Sequence, residues 1–324
     1  MEIVAGHQAL TRRLREPAVA LGNFDGVHLG HQALFREART AARAAGGEAV
    51  ALTFFPHPAK VLNPSLAPPL ICSLERRLER IAATGIDVCV VEPFTLELAA
   101  LAPEAFVDRV LVGALGVRLV CIGQDFTFGR GRAGTVALLS QLGQAPERHF
   151  TVQVIPPVTA AGMLCSSTKV REFVLEGRVE GAAVLLGRDP EVEGVVVAGA
   201  GRGRTIGIPT ANLRPENELV PAPGVYAGWA EVCEGEAKGL RRPAAINIGS
   251  NPTFSGGGGA LGIEAHLLDY HDPSGPSLLG ARLRLGFRRR LRAEQRFPSV
   301  EALVHQIHED IQATRALGVL GGEQ

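Results

Sequence analysis

Gly22-Asn23-Phe24-Asp25-Gly26-Val27-His28-Leu29-Gly30-His31 stands where a short apolar run, Ala18-Val19-Ala20-Leu21, gives way to Leu34, Phe35, Ala38, Ala41 and Ala42 at helical spacing. A strand that hands over to a helix through a glycine-bearing turn is how open parallel sheets bind ligands, at the carboxyl ends of strands and beside free helix N–H groups. His28 and His31 are three apart, and Gly30 between them permits close backbone approach. Two imidazoles so placed can donate hydrogen bonds to a phosphate and to charge that develops as it is transferred. The same pair is also half of a metal site, but no cysteine or third histidine nearby completes one.

Outward from this turn, strand-like and helix-like segments alternate. Strands are predicted at Ala49 to Phe54, Ile86 to Val91, Arg118 to Ile122 and Thr151 to Ile155. Helices are predicted over Gln32 to Ala45, Ser73 to Thr84 with Ser73 as cap, and Pro103 to Val112. Such alternation predicts a doubly wound parallel sheet covered by helices on both faces. The character changes near Gly187-Arg188-Asp189-Pro190. Beyond it, short β-rich runs (Val192 to Ala198, Val225 to Val232, Ala244 to Ile248, Ile263 to Leu268, Ala281 to Leu285) are separated by Gly- and Pro-rich turns. That pattern predicts a small antiparallel barrel, closed by a helix capped at Ser299 with Val300, Leu303, Val304, Ile307 and Ile311 as a core-facing stripe. The expected domains are 1–186 and 187–324, and two domains suit a chain of 324 residues.

Composition narrows the function classes. Hydrophobic residues make up 46% and charged residues 20%, a globular balance. The 33 basic and 33 acidic residues cancel, so no overall field draws the chain to nucleic acid or an anionic membrane. The cluster Arg288-Arg289-Arg290 with Arg292 is expected to be a solvated strand face, with an arginine or two within reach of a nucleotide. No apolar run approaches the ~20 residues of a bilayer span, and Met1-Glu2-Ile3-Val4 lacks the basic start of a signal peptide. The expected setting is the cytoplasm. Five cysteines, odd in number and never spaced C-x-x-C, suggest buried small hydrophobes rather than disulfides or a zinc ribbon. Only Lys60, Lys169 and Lys238 are lysines, and none follows a glycine, so a Walker lysine is absent.

The opening string resembles the H-x-G-H signature of nucleotidyltransferases and, with its flanks, the FMN adenylyltransferase module of bacterial bifunctional riboflavin kinase/FAD synthetases. Thr53-Phe54-Phe55-Pro56-His57-Pro58, Gly123-Gln124-Asp125-Phe126-Thr127-Phe128-Gly129 with Arg132 and Gly134, and Ser166-Ser167-Thr168-Lys169-Val170-Arg171 match further motifs of that family in order. Phe55 stands where an acidic residue is common. The resemblance implies that FMN phosphate attacks the α-phosphorus of ATP and pyrophosphate leaves, with His28, His31 and Arg171 acting on the phosphates. Gly22, Phe24, Asp25, Asp125, Ser166, Ser167 and Thr168 are then expected at the ATP/flavin site. The serines and Thr168 also suit helix capping, and Asp125 equally suits a turn.

The second concentrated signal is Gly201-Arg202-Gly203-Arg204-Thr205-Ile206-Gly207-Ile208-Pro209-Thr210-Ala211-Asn212. Its glycines let backbone amides approach phosphates. Pro209-Thr210-Ala211-Asn212 resembles the Pro-Thr-Ala-Asn motif of riboflavin kinases, which implies that Gly201, Gly203, Arg204, Gly207 and Pro209 line an ATP/flavin site and that Thr210 and Asn212 help hold Mg²⁺ and the ATP phosphates. Hydroxyl and amide oxygens are suitable ligands for that hard cation. By spacing alone Glu264 is an exposed strand glutamate; the resemblance assigns it the catalytic base. Pro223-Gly224-Val225-Tyr226, Asn247 to Phe254, Gln295 to Ser299 and Gln306 to Asp310 also match in order. The tetraglycine Gly256 to Gly259, the turn Asp272 to Pro276 and Ser277-Leu278-Leu279-Gly280 depart from the family pattern. The implied substrates are riboflavin, FMN and ATP, with no nucleic-acid or membrane partner.

Overall fold

A computed structural model describes residues 1–199, 201–250, 261–270 and 277–318. Two compact units emerge: Met1–Pro69 with Ser73–Ser166, and Leu70–Cys72 with Ser167–Gln324.

In the first unit, β1 (Glu2–Ala5), β2 (Ala18–Leu21), β3 (Ala49–Phe55), β4 (Val88–Pro93), β5 (Leu119–Gly123) and β6 (Thr151–Ile155) form one sheet in the order β1-β4-β3-β2-β5-β6. Every pairing is parallel, as the alternating segments predicted. The strand β1 has no counterpart in the sequence reading: Val4 alone of its four residues is buried, so no pattern marks it, and it forms by pairing with β4.

The period of two sorts the sheet into unlike faces. Ala18, Ala20, Ala49, Ala51, Cys89 and Cys121 cluster with Leu34, Phe35 and Ala38 of helix Leu29–Ala44 and Ile81 of helix Leu74–Ala83. Val19, Leu21, Val50, Leu52, Val88, Val90, Val120 and Ile122 cluster with Phe106, Val110, Leu111 and Leu139. Small side chains on one face and bulky ones on the other fill the layers at different spacings. The buried thiols of Cys89 and Cys121 are pushed up to about 12 by desolvation and behave as small apolar groups. The helix predicted from Pro103 continues to Ala114, its second part wound as a π-helix, where Gly113 admits the Asp108 carbonyl.

From β2 the chain fills one side of the sheet with β3 and β4, then returns to β2's other side with β5. The reversal of strand order therefore lies between β2 and β5, and the turn carrying His28 and His31 leaves β2 at that point.

After a small hairpin of β7 (Thr159–Ala160) and β8 (Met163–Leu164), the second unit begins with helices Ser167–Leu175 and Val179–Leu186. The packing break thus precedes the boundary read from the sequence at 186/187. These helices belong with the C-terminal strands because Ala222 N donates to the Val174 carbonyl at 3.3 Å, and Gly177 leaves room for the Tyr226 hydroxyl.

The strands β9 (Glu191–Val197), β10 (Ala211–Pro215), β11 (Gly224–Glu234), β12 (Arg241–Ser250), β13 (Leu261–Leu267) and β14 (Arg282–Arg292) close an antiparallel barrel in the order β10-β13-β12-β11-β14-β9. Five of these strands were predicted. The sixth, β10, was not predicted: it begins in the last two residues of the string read as a phosphate and metal loop and runs on to Pro215. Val196, Leu213, Ile246, Ile263, Leu283 and Phe287 are among the side chains that fill the interior. Register shifts between β11 and β14 bend those long strands around it, and Gly228 and Gly286 lie where a Cβ would strike backbone or the Trp229 ring. Ser299 Oγ caps helix Val300–Ala316 by accepting from Ala302 N. Ile307 and Ile311 pack with Ile208 and Leu268, while Val300 is exposed, so the predicted apolar stripe is core only beyond its first turn.

The arginine cluster on β14 is only in part the solvated face expected of it: Arg289 is exposed, whereas the others are tied down. Arg288 pairs with Asp189 at 3.1 Å, Arg292 with Asp310 at 2.8 Å, and Arg290 donates to the Pro223 carbonyl at 2.8 Å. Partly buried arginines on a strand find acids and carbonyls on neighbouring elements, a pairing that sequence spacing does not reveal.

Candidate active sites

His28 is buried and caps helix Leu29–Ala44: its Nδ1 accepts from Gly30 N at 3.1 Å and His31 N at 3.4 Å. Two of the helix N–H groups expected to greet an anion are therefore already engaged by the imidazole. An accepting Nδ1 carries no proton, so the ring proton sits on Nε2 and makes that nitrogen the donor. The cap thus fixes the tautomer. His31 stacks on His28 with ring centroids 3.6 Å apart and planes 24° apart.

Phe24, expected at the binding surface, is wholly buried; it meets His31 edge-on at 5.3 Å and Phe35 at 4.5 Å. Gly22 makes room for the Phe24 ring, and Asp25 is buried as well. The turn is tightly wound: Phe24, Gly26 and Val27 all have left-handed backbone, with φ of 52°, 80° and 44°. At Gly30 a side chain would meet the His28 ring at 3.0 Å and the Cys165 carbonyl at 3.2 Å. Asp125, exposed in the turn after β5, joins the histidines at the same sheet edge because β5 adjoins β2.

Ser166 directly precedes helix Ser167–Leu175, in the cap position predicted for it. Ser167 and Arg171 lie one turn apart on a face of that helix, with Arg171 buried.

In the barrel, Gly201 and Gly207 have left-handed φ of 69° and 77°, and Ile208 N donates to the Gly203 carbonyl at 2.8 Å. A Cβ at Gly203 would strike the Ile208 carbonyl, so this glycine is required by the loop's own fold. The Arg204 side chain lies outside the described residues, as do Asn251 to Phe254, the tetraglycine and the turn Asp272 to Pro276.

Antiparallel pairing brings the remaining candidates together. Asn212 on β10 stands opposite Glu264 on β13, and Glu264 stands opposite Asn247 on β12. Neighbours Ile263 and Ala265 point into the core, so Glu264 and His266 share the outer face of the strand. Asn212 is buried, and its Oδ1 has no hydrogen-bond partner among the described residues. A buried amide oxygen so left is what a cation ligand requires, and the Thr210 hydroxyl two residues before supplies a second hard donor; the pair fits Mg²⁺. Among the described residues no group of three or more His, Cys, Asp or Glu could hold a metal.

Sequence reasoning passed over several supporting residues. His266 Nδ1 lies 2.8 Å from the Pro209 carbonyl, which can only accept, so this imidazole donates and ties the Pro-Thr-Ala-Asn loop to the strand of Glu264. Its place two residues beyond Glu264 was a usable signal, since period two puts both on one face. Gly199 had no signal at all. A Cβ there would run into the Asn212 side-chain amide, whose flexible end would swing aside at little cost in stability. Gly199→Ala is therefore expected to weaken binding of a magnesium–nucleotide complex at this centre about 10-fold while the chemistry of the sheet unit stays unchanged; nucleotide titrations and steady-state kinetics at each centre check it.

An open α/β sheet with a histidine-capped helix at its switch point, joined to a closed barrel with an Asn–Glu–Asn row, defines a transferase with two centres for phosphate chemistry. The family model described as FAD synthetase matches residues 10–169, and that described as riboflavin kinase matches residues 186–317. The chain is 38% identical over 300 residues to a bifunctional riboflavin kinase/FMN adenylyltransferase of Listeria monocytogenes, covering 92% of this chain and 91% of the relative. It is 36% identical to that of Pseudomonas fluorescens, covering 98% of each. A solved structure from Streptococcus pneumoniae, described as a macrolide-efflux protein, superposes with TM-score 0.82 at 29% identity, covering 97% of this chain and 98% of that one. That designation belongs to the other protein; among the described residues here no helix is long and apolar enough to cross a membrane. The chain belongs to the bifunctional riboflavin kinase/FMN adenylyltransferase family.

Proposed function

We propose that the barrel phosphorylates riboflavin to FMN and that the sheet unit adenylylates FMN to FAD, each with ATP as donor, and that this division of labour follows the 1–186 and 187–324 parts of the chain. The observation that carries the reading is the presence of both constellations in one chain: histidines at the switch point, and Asn212 facing Glu264.

The two steps ask different things of the protein. In adenylyl transfer the FMN phosphate is already an anion, so its oxygen attacks the α-phosphorus of ATP without a base and the bond to pyrophosphate breaks. The work is to hold two anions together and to stabilise the departing charge. The Nε2–H of His28 and the stacked His31 donate to the ATP phosphates, and Arg171 adds a planar, permanently charged fork. In riboflavin phosphorylation the nucleophile is a neutral alcohol. Glu264 accepts its proton as the oxygen attacks the γ-phosphorus and ADP leaves. Thr210 and Asn212 would hold Mg²⁺, which when bound screens the phosphate charges. Both steps consume water-soluble small-molecule substrates, which suits a cytoplasmic enzyme with neither nucleic acid nor membrane as partner.

Chromatography of products after incubation with riboflavin, excess ATP and MgCl₂ tests this. FMN is expected first and FAD later, with both lost on adding excess EDTA. FAD from supplied FMN without FMN from riboflavin would remove the kinase half, and neither product would sink the reading.

A further inference from the structure

Arg77 lies outside every motif described above, on helix Leu74–Ala83, yet its side chain is fully buried (0% exposed). Nη1 donates to the Asn23 carbonyl at 3.1 Å and the Phe54 carbonyl at 3.3 Å, and Nη2 lies 3.9 Å from Asp25 Oδ1. Among the described residues, Nε and Nη2 make no hydrogen bond. A guanidinium taken wholly out of water with so few bonds is a poor means of stabilising a core. Leu78 and Ile81 on the same helix are apolar members of the surrounding cluster, so a hydrophobic side chain would suit this position if stability were its only purpose.

What the guanidinium reaches is informative. Asn23 follows the end of β2 and Phe54 is near the end of β3, so one side chain ties the roots of the two loops that carry His28-x-x-His31 and Phe54 to Pro58. The Asn23 carbonyl also accepts from Thr53 Oγ1 at 2.9 Å, a second tie between the same strands. Asp25 is within the turn where Phe24, Gly26 and Val27 are left-handed. Such a run of uncommon backbone persists only where its surroundings over-determine it.

We propose that Arg77 is a positioning residue for adenylyl transfer: it fixes the ends of β2 and β3 and Asp25 so that the tightly wound turn presents His28 and His31 to the ATP phosphates. This rests on the adenylyl-transfer reading above. The guanidinium is fully buried, and it acts through the backbone of the turn.

The test is steady-state kinetics of the full chain carrying Arg77→Gln, Arg77→Lys or Thr53→Val. Measurements are made well below each variant's unfolding temperature, with near-UV circular dichroism and thermal unfolding as the measure of folding and riboflavin phosphorylation as the measure of enzyme concentration. Arg77→Gln is expected to lower kcat for FAD formation about 100-fold, the scale of a misplacement near 1 Å, with riboflavin phosphorylation unchanged. Arg77→Lys is expected to regain part of that loss, and Thr53→Val to lower kcat by a smaller factor. A role confined to stability predicts something else: a lower unfolding temperature, with kcat and KM for ATP at parental values once the variant is folded. That outcome overturns the proposal. Should Arg77→Gln not fold, parental kcat in both Arg77→Lys and Thr53→Val overturns it equally. A parental chain that makes no FAD from FMN would overturn the underlying reading, and this control separates the two failures before any variant is compared.

Discussion

Replacing His31 by alanine should leave FMN formation from riboflavin at the parental rate and cut FAD formation from FMN about 100- to 1,000-fold, the cost of removing one preorganised donor from developing phosphate charge. The stacking of His31 on His28 at 3.6 Å sharpens this expectation, because losing one ring also frees the other. The His28 variants separate two roles that one imidazole combines. In His28→Ala both the helix cap and the Nε2–H are lost, so stability should fall by about 1 kcal/mol along with the activity. In His28→Asn the side-chain oxygen can still accept from the Gly30 and His31 amides, so the unfolding temperature should stay near parental while FAD formation is lost. Chromatographic rates and thermal unfolding of the three variants check this. A His31→Ala enzyme that makes FAD at the parental rate would remove the histidines from the mechanism.

Glu264→Gln should do the reverse. The amide keeps the shape and polarity of the side chain between Asn212 and Asn247 but cannot take a proton from an alcohol. Riboflavin phosphorylation is expected to lose about 100- to 10,000-fold in kcat, the range for removal of a general base, with KM for riboflavin and ATP little changed. FAD formation from supplied FMN should be unaffected. A large rise in KM at constant kcat would instead make Glu264 a binding residue. Thermal unfolding of each variant separates loss of folding from loss of chemistry, since one compact unit can unfold while the other stays active.

The helical and strand-like segments near His28 were legible because alternation and helical spacing are local properties of the chain, and so was the change to β-rich runs near residue 187, although the helices just before it pack with the barrel. Glu264 was not legible by spacing, since one acid on an alternating strand looks like any solvated glutamate. It gained meaning through register: pairing of β10, β13 and β12 puts it level with Asn212 and Asn247, which are 52 and 17 residues away in the chain. The burial of Phe24 was not legible either: its ring packs against Phe35 in the core, and its backbone is left-handed.

Taken alone, the sequence determined which residue types the two centres have and the order in which they come, because motif spacing and hydrophobic period are written along the chain. Tertiary structure decided how those residues are held. It showed that His28 spends its Nδ1 on the helix amides, that Asn212 keeps a buried oxygen without a partner among the described residues, and that helices Ser167–Leu175 and Val179–Leu186 pack with the barrel. It also revealed Arg77 beneath the histidine turn. Each of these depends on which carbonyl, amide or carboxylate arrives from a distant segment, and a buried polar group takes its role from the partner that meets it there.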